Sequence, residues 1–128
     1  MSDFESIYTD KQRSSKIKKE KKRLAKIFEN IDARKRETSE KLIDEAAFMA
    51  VTLDETRQII TRDGIVETYQ NGANQSGIKK SSAVEVYDKM INTYSKVIKQ
   101  LCDLLPEEQK NAQSDPAEEL LRFTSQRR

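Results

Sequence analysis

Lysine and arginine side chains dominate one segment of the sequence, between Lys11 and Arg36. This segment contains twelve basic residues and three acids, a net charge of +9, whereas the chain as a whole carries +2. Such clusters bind nucleic-acid backbones, because each neutralised phosphate releases counterions into solution. The candidate DNA-binding residues are Lys16, Lys18, Lys19, Lys21, Lys22, Arg23, Lys26, Arg34, Lys35 and Arg36.

Two other interpretations of the basic segment stay open, a solvated arm without a specific partner and contact with an anionic membrane surface. The lysines between positions 18 and 26 are expected to spread around most of a helix, which suits contact with the DNA backbone better than base reading. Membrane binding is disfavoured because the basic turns lack an opposing apolar face. No helix-turn-helix is recognisable, since Leu24–Ile31 runs on into Asp32-Ala33-Arg34 without a turn glycine.

Catalytic chemistry finds little support in the residue types present. The chain has no histidine and one cysteine, Cys102, so it can build neither an imidazole-based catalytic site nor a pair of cysteine ligands. Adjacent acids on a helix point about 100° apart and do not converge on one ion. We therefore expect no enzyme, no metal and no cofactor, and we interpret the paired acids as solvated helix surface: Asp44-Glu45, Asp54-Glu55, Glu107-Glu108 and Glu118-Glu119.

The elements that carry these residues are predicted to be helices, because glycine and proline together number only five. A first helix is predicted over Ser15–Arg36, with an apolar stripe confined to its later half: Leu24, Ile27, Phe28 and Ile31. Its first two turns are almost purely cationic. We expect them to become ordered only against a partner or a neighbouring subunit.

A second helix is predicted from Ser39 to Asp63, with Thr38 and Ser39 as candidate caps and Gly64 ending it. Its most buried turn is expected at Ala46–Val51, which is apolar on nearly all sides. The candidate core and oligomerisation residues of this helix are Leu42, Met49 and Leu53.

A third helix is predicted over Ser82–Leu105, where Ser82 and Glu85 fit a capping box. Apolar residues step by three and four along it, which predicts packing against another helix along its length. The core and oligomerisation candidates on this stripe are Val84, Tyr87, Ile91, Tyr94, Ile98 and Leu101, with Leu105 continuing it. Between the two long helices, residues 65–80 form either a short β-hairpin or an ordered loop, and Asn71-Gly72 favours the hairpin.

The predicted architecture is all-α, an antiparallel hairpin of two long helices with a basic N-terminal helix, assembled into an oligomer. Three segments are expected: a DNA-binding segment at 1–37, a helical-hairpin core at 38–106, and a linker with a short helix at 107–128. The last helix would present Leu120, Leu121 and Phe123 either to the chain's own core or to the groove of a separate protein. No segment approaches the about 20 apolar residues of a membrane span, so no membrane association is expected.

The middle of the chain resembles the small terminase subunits of tailed phages and prophages of Gram-positive bacteria. The resemblance rests on residues 41–55 (KLIDEAAFMAVTLDE), on Tyr69-Gln70-Asn71-Gly72 with Gly77-Ile78-Lys79-Lys80-Ser81, and on the stretch from Val86-Tyr87 to Leu104-Leu105-Pro106. It covers about two-thirds of the sequence. No helix-turn-helix accompanies it, although many members of that family have one.

The resemblance implies a function without catalysis. A small terminase subunit binds double-stranded DNA at the phage packaging site, forms a homo-oligomeric ring, and recruits and regulates the large ATPase-nuclease subunit in the cytoplasm of the bacterial host. An alternative from another class is an oligomeric helical adaptor or regulatory protein whose basic arm binds an acidic partner.

Overall fold

A computed structural model describes residues 6–70, 72 and 75–106 of the chain. The described part is mostly helical, as predicted, and includes the predicted β-hairpin. Its elements are α1 (Asp10–Ile27), a 3-10 turn (Ala33–Lys35), α2 (Arg36–Asp63), β1 (Val66–Gln70), β2 (Ser76–Lys80) and α3 (Ser82–Asp103). The antiparallel hairpin of two long helices corresponds to α2 and α3.

Helix α1 begins and ends earlier than the sequence pattern predicted. Thr9 caps it through a capping box, in which the Thr9 hydroxyl accepts from the Gln12 amide at 3.1 Å and the Gln12 side chain accepts from the Thr9 amide at 2.9 Å. The helix ends at Ile27, where the Phe28 amide donates to the Leu24 carbonyl at 2.9 Å, and Asp32 then starts a separate turn, its carboxylate accepting from the Arg34 amide at 2.9 Å. The predicted single helix over Ser15–Arg36 is therefore wrong.

Helix α2 begins at Arg36, three residues before the predicted start. Ser39 lies inside the helix instead of capping it, and its hydroxyl donates to the Arg36 carbonyl at 2.8 Å. The helix ends at Gly64 as predicted, with a φ of 94° that side chains other than glycine rarely adopt.

The hairpin between the two long helices is antiparallel, with Val66 opposite Lys80 and Gln70 opposite Ser76. Gly77 lies under the Tyr69 ring, and a Cβ at this position would come to 3.0 Å from that ring, so a larger residue would displace the Tyr69 side chain. Ser81, one residue before the predicted cap, begins α3 by accepting from the Val84 amide at 3.2 Å. The cap therefore lies one residue before the predicted one, and the capping box predicted at Ser82 and Glu85 is wrong, because the third residue after Ser81 is Val84, which has no side-chain acceptor.

Helix α2 packs against both α1 and α3 and forms the centre of the helical core. In the predicted most buried turn, Ala46, Ala47, Met49, Ala50 and Val51 are buried as predicted, but Phe48 is 48% exposed, so the prediction is wrong at that residue. The other residues of the buried apolar core are Ile43 and Leu53 from α2, Leu24, Phe28 and Ile31 from the α1 side, and Tyr94, Ile98, Leu101 and Leu105 from the α3 side. The predicted boundary at 37/38 falls inside the first turn of α2.

The C-terminal predictions, including Leu120, Leu121 and Phe123, lie outside the described residues. Within the described residues, no helix combines the length and apolar character needed to cross a bilayer.

Leu24 is the residue that joins α1 to the core, since it is only 1% exposed. We expect Leu24→Ala to lower the free energy of unfolding by about 2–5 kcal/mol, because it leaves a cavity between helices. Ile65→Ala, at a site that is 65% exposed, is the control and should change it by less than about 0.5 kcal/mol. Urea denaturation measures both, and equal effects would contradict the docking of α1.

Candidate nucleic-acid interface

The cationic helix α1 is held against α2 by an ion pair between Arg13 and Glu55. Two guanidinium nitrogens of Arg13 donate to the Glu55 carboxylate, at 2.9–3.1 Å. The same carboxylate accepts from the Ile7 and Tyr8 backbone amides at 3.0 and 3.1 Å. The Glu55 side chain is only 9% exposed and the Arg13 side chain 26%, so the carboxylate is buried and the guanidinium is partly covered. A charge-assisted, two-nitrogen contact of this kind fixes the orientation of α1 as well as its position.

Glu55 ionises more readily than an ordinary glutamate. Burial by itself raises the pKa of Glu55, but the hydrogen bonds from Arg13, Tyr8 and Ile7 outweigh that effect, and its pKa is lowered from the usual 4.5. The same pairing raises the pKa of Arg13. Both groups are therefore charged at neutral pH, which is the state that the ion pair requires.

Tyr8 extends this attachment along α2. Its hydroxyl donates to the Asp54 carboxylate and accepts from the Gln58 side-chain amide at 2.7 Å. The Lys16 ammonium lies 4.7 Å from the centre of the Tyr8 ring, a cation–π distance. Tyr8 thus connects α2 to the second turn of α1.

Two further cations of α1 are occupied by acids. Lys21 pairs with Asp44 of α2 at 2.5 Å, and Arg23 forms a two-point contact with Glu20 at 2.8 and 3.0 Å. These contacts lie on either side of the packed stripe of α1. The prediction that the first turns need a partner or another subunit for order is wrong, because the chain's own α2 holds them.

The remaining lysines of α1 form one outward surface. Lys11, Lys18, Lys22 and Lys26 follow each other at intervals of seven, four and four, which places them in a row along one side of a helix, with Lys19 beside them. We call these five residues the lysine face. All five are exposed, and within the described residues none of them forms an ion pair. Consecutive members of the row from Lys18 onward lie about 6 Å apart along the helix axis.

This row corrects the expectation that the lysines spread around most of the helix. Arg13, Ile17, Glu20 and Leu24 turn towards α2, and the charges that find no partner there are left on the opposite side. The arrangement presents a line of mobile point charges rather than a rigid fork, which suits contact with successive phosphates.

The last three predicted DNA-binding residues lie away from this face, because α1 ends before them. Arg34 is paired with Asp32 at 3.0 Å, and its hydrogen bonds hold the pKa of Asp32 at about 2. Lys35 ends the 3-10 turn, and Arg36 begins α2. All three side chains are exposed beside the end of α1.

A shallow groove of about 200 Å³ runs beside the lysine face, between α1 and α2. Its floor is apolar, from Ala50 and Val51, and its rim is mainly cationic, with Lys16, Lys19 and Arg23 among its residues. Glu20 and Asp54 also line it. The groove is too open and too small to enclose a typical ligand, which needs about 300–1,000 Å³.

The predicted core and oligomerisation residues fall into two groups that differ in how far they are buried. Met49, Leu53, Tyr94, Ile98 and Leu101 are buried within the described chain, and Leu42, Val84, Tyr87 and Ile91 are partly buried. The less covered members on α3 lie towards its N-terminal half, next to the β-hairpin.

Sequence reasoning missed Tyr8, Arg13 and Glu55 as the residues that position the interface. The prediction that Glu55 lies on the solvated surface beside Asp54 is wrong, because the whole residue is only 7% exposed. A signal was present, since Val51, Glu55 and Ile59 recur at intervals of four and all face inward. A charge within an apolar stripe indicates a buried partner, although the stripe does not identify that partner.

Comparisons with known protein families, with curated proteins and with solved structures found nothing that matches this chain.

The Arg13–Glu55 pair predicts a pH-dependent stability. We expect Glu55→Gln to lower the free energy of unfolding at pH 7 by about 1–3 kcal/mol, because Arg13 and two backbone amides lose a charged acceptor. Since the folded pKa of Glu55 lies below its unfolded value of 4.5, its stabilisation is complete above that pH and is lost as pH falls through the folded pKa.

Urea denaturation at pH 7 and at successively lower pH measures this difference. The gap between the wild type and Glu55→Gln should shrink as the pH falls below 4.5. Glu45→Gln, on the exposed side of the same helix, serves as the control and should show no gap at any pH. A gap that stays constant with pH would contradict the role of the carboxylate.

Proposed function

We propose that this protein binds double-stranded DNA through the lysine face of α1, without catalysis of its own, as the small subunit of a phage terminase. The observation that carries the proposal is the geometry of α1. Arg13 pairs with Glu55 of α2 and Arg23 pairs with Glu20 of the same helix, and a row of lysines with no ion-pair partner in the described chain is left outside. Such a row neutralises backbone phosphates and carries little information about base sequence.

The packing of α1 against α2 supports a role for α1 in holding DNA. Because Arg13, Ile17 and Leu24 fix the inner side of the helix, binding to DNA orders only the lysine side chains and not the helix backbone. A preformed helix therefore avoids the entropic cost that an unfolded basic arm would meet on binding.

The resemblance to small terminase subunits extends the proposal beyond DNA contact. It assigns the chain to recognition of the packaging region, to recruitment and regulation of the large ATPase-nuclease subunit, and to a homo-oligomeric ring in the host cytoplasm. The C-terminal Leu120, Leu121 and Phe123 are the proposed contact with the large subunit. A ring would bring several lysine faces to one duplex, so that weak individual contacts add through effective concentration.

We expect the affinity for duplex DNA to fall steeply with salt and to depend on the lysine face. In a plot of log affinity against log salt concentration, each phosphate contact contributes about 0.9 to the slope. Lys18→Ala with Lys22→Ala should therefore flatten the slope by about two per bound chain. Fluorescence anisotropy with a labelled duplex, measured between low and physiological salt, gives both slopes.

The matched control removes two lysines from a different surface. Lys89 and Lys96 lie exposed on α3, and their replacement by alanine changes the net charge by the same amount. This variant should keep the wild-type slope. Equal losses in both variants would indicate unspecific charge attraction, and absence of DNA binding at low salt would reject DNA as the partner. Binding to an acidic protein would then be the adaptor function.

A further inference from the structure

The β-hairpin projects from the helical core with its apolar side chains uncovered. Ile78 is 70% exposed and Val66 is 53% exposed, and both lie on the same face of the hairpin. At its base the hairpin contacts helix α3, where Glu67 accepts from Ser82 and Lys80 pairs with Asp88. A two-stranded hairpin without helix packing is only marginally stable in water, and a third strand is the usual remedy.

No other strand of the described residues pairs with either edge of the hairpin. The Ser81 amide donates to the Ile65 carbonyl at 3.0 Å, which makes these two residues a hydrogen-bonded pair. Because such pairs alternate along an antiparallel ladder, the backbone groups of Val66, Thr68 and Gln70 point away from β2. By the same alternation, the groups of Ser76, Ile78 and Lys80 point away from β1.

We infer that the hairpin pairs with the hairpin of a second copy of this chain, β2 of one copy lying antiparallel to β1 of the next. The inference concerns the assembly part of the proposed function and is independent of DNA binding. The described residues contain no other strand. A second copy offers a β1 edge, and β1 is the strand with which β2 already pairs inside each hairpin. Inside each hairpin, β1 and β2 pair with Ile78 opposite Thr68 and Lys79 opposite Glu67.

Repeating this register between copies satisfies both open edges at once. The outward groups of Ser76, Ile78 and Lys80 meet those of Gln70, Thr68 and Val66 on the neighbour. Lys79 then faces the Glu67 of the next copy as well as its own, at 3.5 Å within the hairpin. Opposite charges across neighbouring strands favour this pairing, and like charges would oppose it.

The same register covers the apolar face. Ile78 would lie between its own Thr68 and that of the neighbour, with a Val66 diagonal to it on each side. The pairing is head-to-tail, so each added copy presents a fresh edge, and a closed ring leaves none exposed.

Native mass spectrometry of the full chain tests the inference. The first comparison uses single substitutions of exposed apolar residues. The wild type should be oligomeric, and Ile78→Lys should shift it to the monomer at the same concentration. Val86→Lys changes an exposed valine on α3, outside the hairpin, and should leave the oligomer intact. Circular dichroism should show unchanged helix content in both variants. A monomeric wild type, or an unchanged mass for Ile78→Lys, would overturn the inference.

Charge exchange separates contacts between copies from contacts within one hairpin. Glu67→Lys and Lys79→Glu each place like charges together, so each alone should assemble less than the wild type. Mixing the two variants restores opposite charges only between copies, and the mixture should recover the oligomer. A mixture that assembles no better than its components would show that the pair acts only within the hairpin, and would overturn the inference.

Strand pairing, ring assembly and DNA binding can fail separately. A wild-type oligomer whose mass is unchanged in Ile78→Lys would reject the strand pairing and leave the proposed ring and DNA binding standing. A monomeric wild type that binds DNA with a steep salt dependence would reject both the ring and the strand pairing, and an oligomer that fails to bind DNA would reject the DNA-binding function alone.

Discussion

The structure depends on the ion pair between Arg13 and Glu55, which holds a strongly cationic helix against the rest of its own chain. Helix α1 has a net charge of +7 over eighteen residues, which would disfavour packing if its charges met an apolar surface. The buried carboxylate of Glu55 resolves this conflict. It neutralises Arg13, accepts two backbone amides ahead of the helix, and so fixes where α1 begins and which side faces α2.

Once the side of α1 that faces α2 is fixed, the lysines on the opposite side of the helix point into solvent. Lys21 finds Asp44, Arg23 finds Glu20, and Lys16 lies over Tyr8, all at the margins of the packed stripe. The lysine face consists of lysines of α1 whose charges are not paired with an acid of the described residues when α1 packs against α2. Electrostatics and packing therefore produce the proposed binding surface together, since the acids that stabilise the fold are kept away from the outward row.

The parts of this fold that follow from local patterns could be read from the sequence. Periodic apolar residues predicted α2 and α3, Gly64 marked the end of α2, and the Asn71-Gly72 signal predicted a hairpin. The missed details depend on competition between neighbouring groups. Asp32 starts a separate turn after the basic helix by binding Arg34, and Ser81 takes the cap position that Ser82 could equally have filled. The position of Glu55 was beyond local reasoning, because its partner Arg13 lies 42 residues away.

The direct test of the central claim is lysine reactivity by mass spectrometry, with acetylation of the full chain in the presence and absence of duplex DNA. The account predicts that DNA protects Lys11, Lys18, Lys22 and Lys26, while Lys89 and Lys96 on α3 react equally in both states. Uniform protection, or protection centred on α3, would contradict the claim that the outward row of α1 holds the DNA.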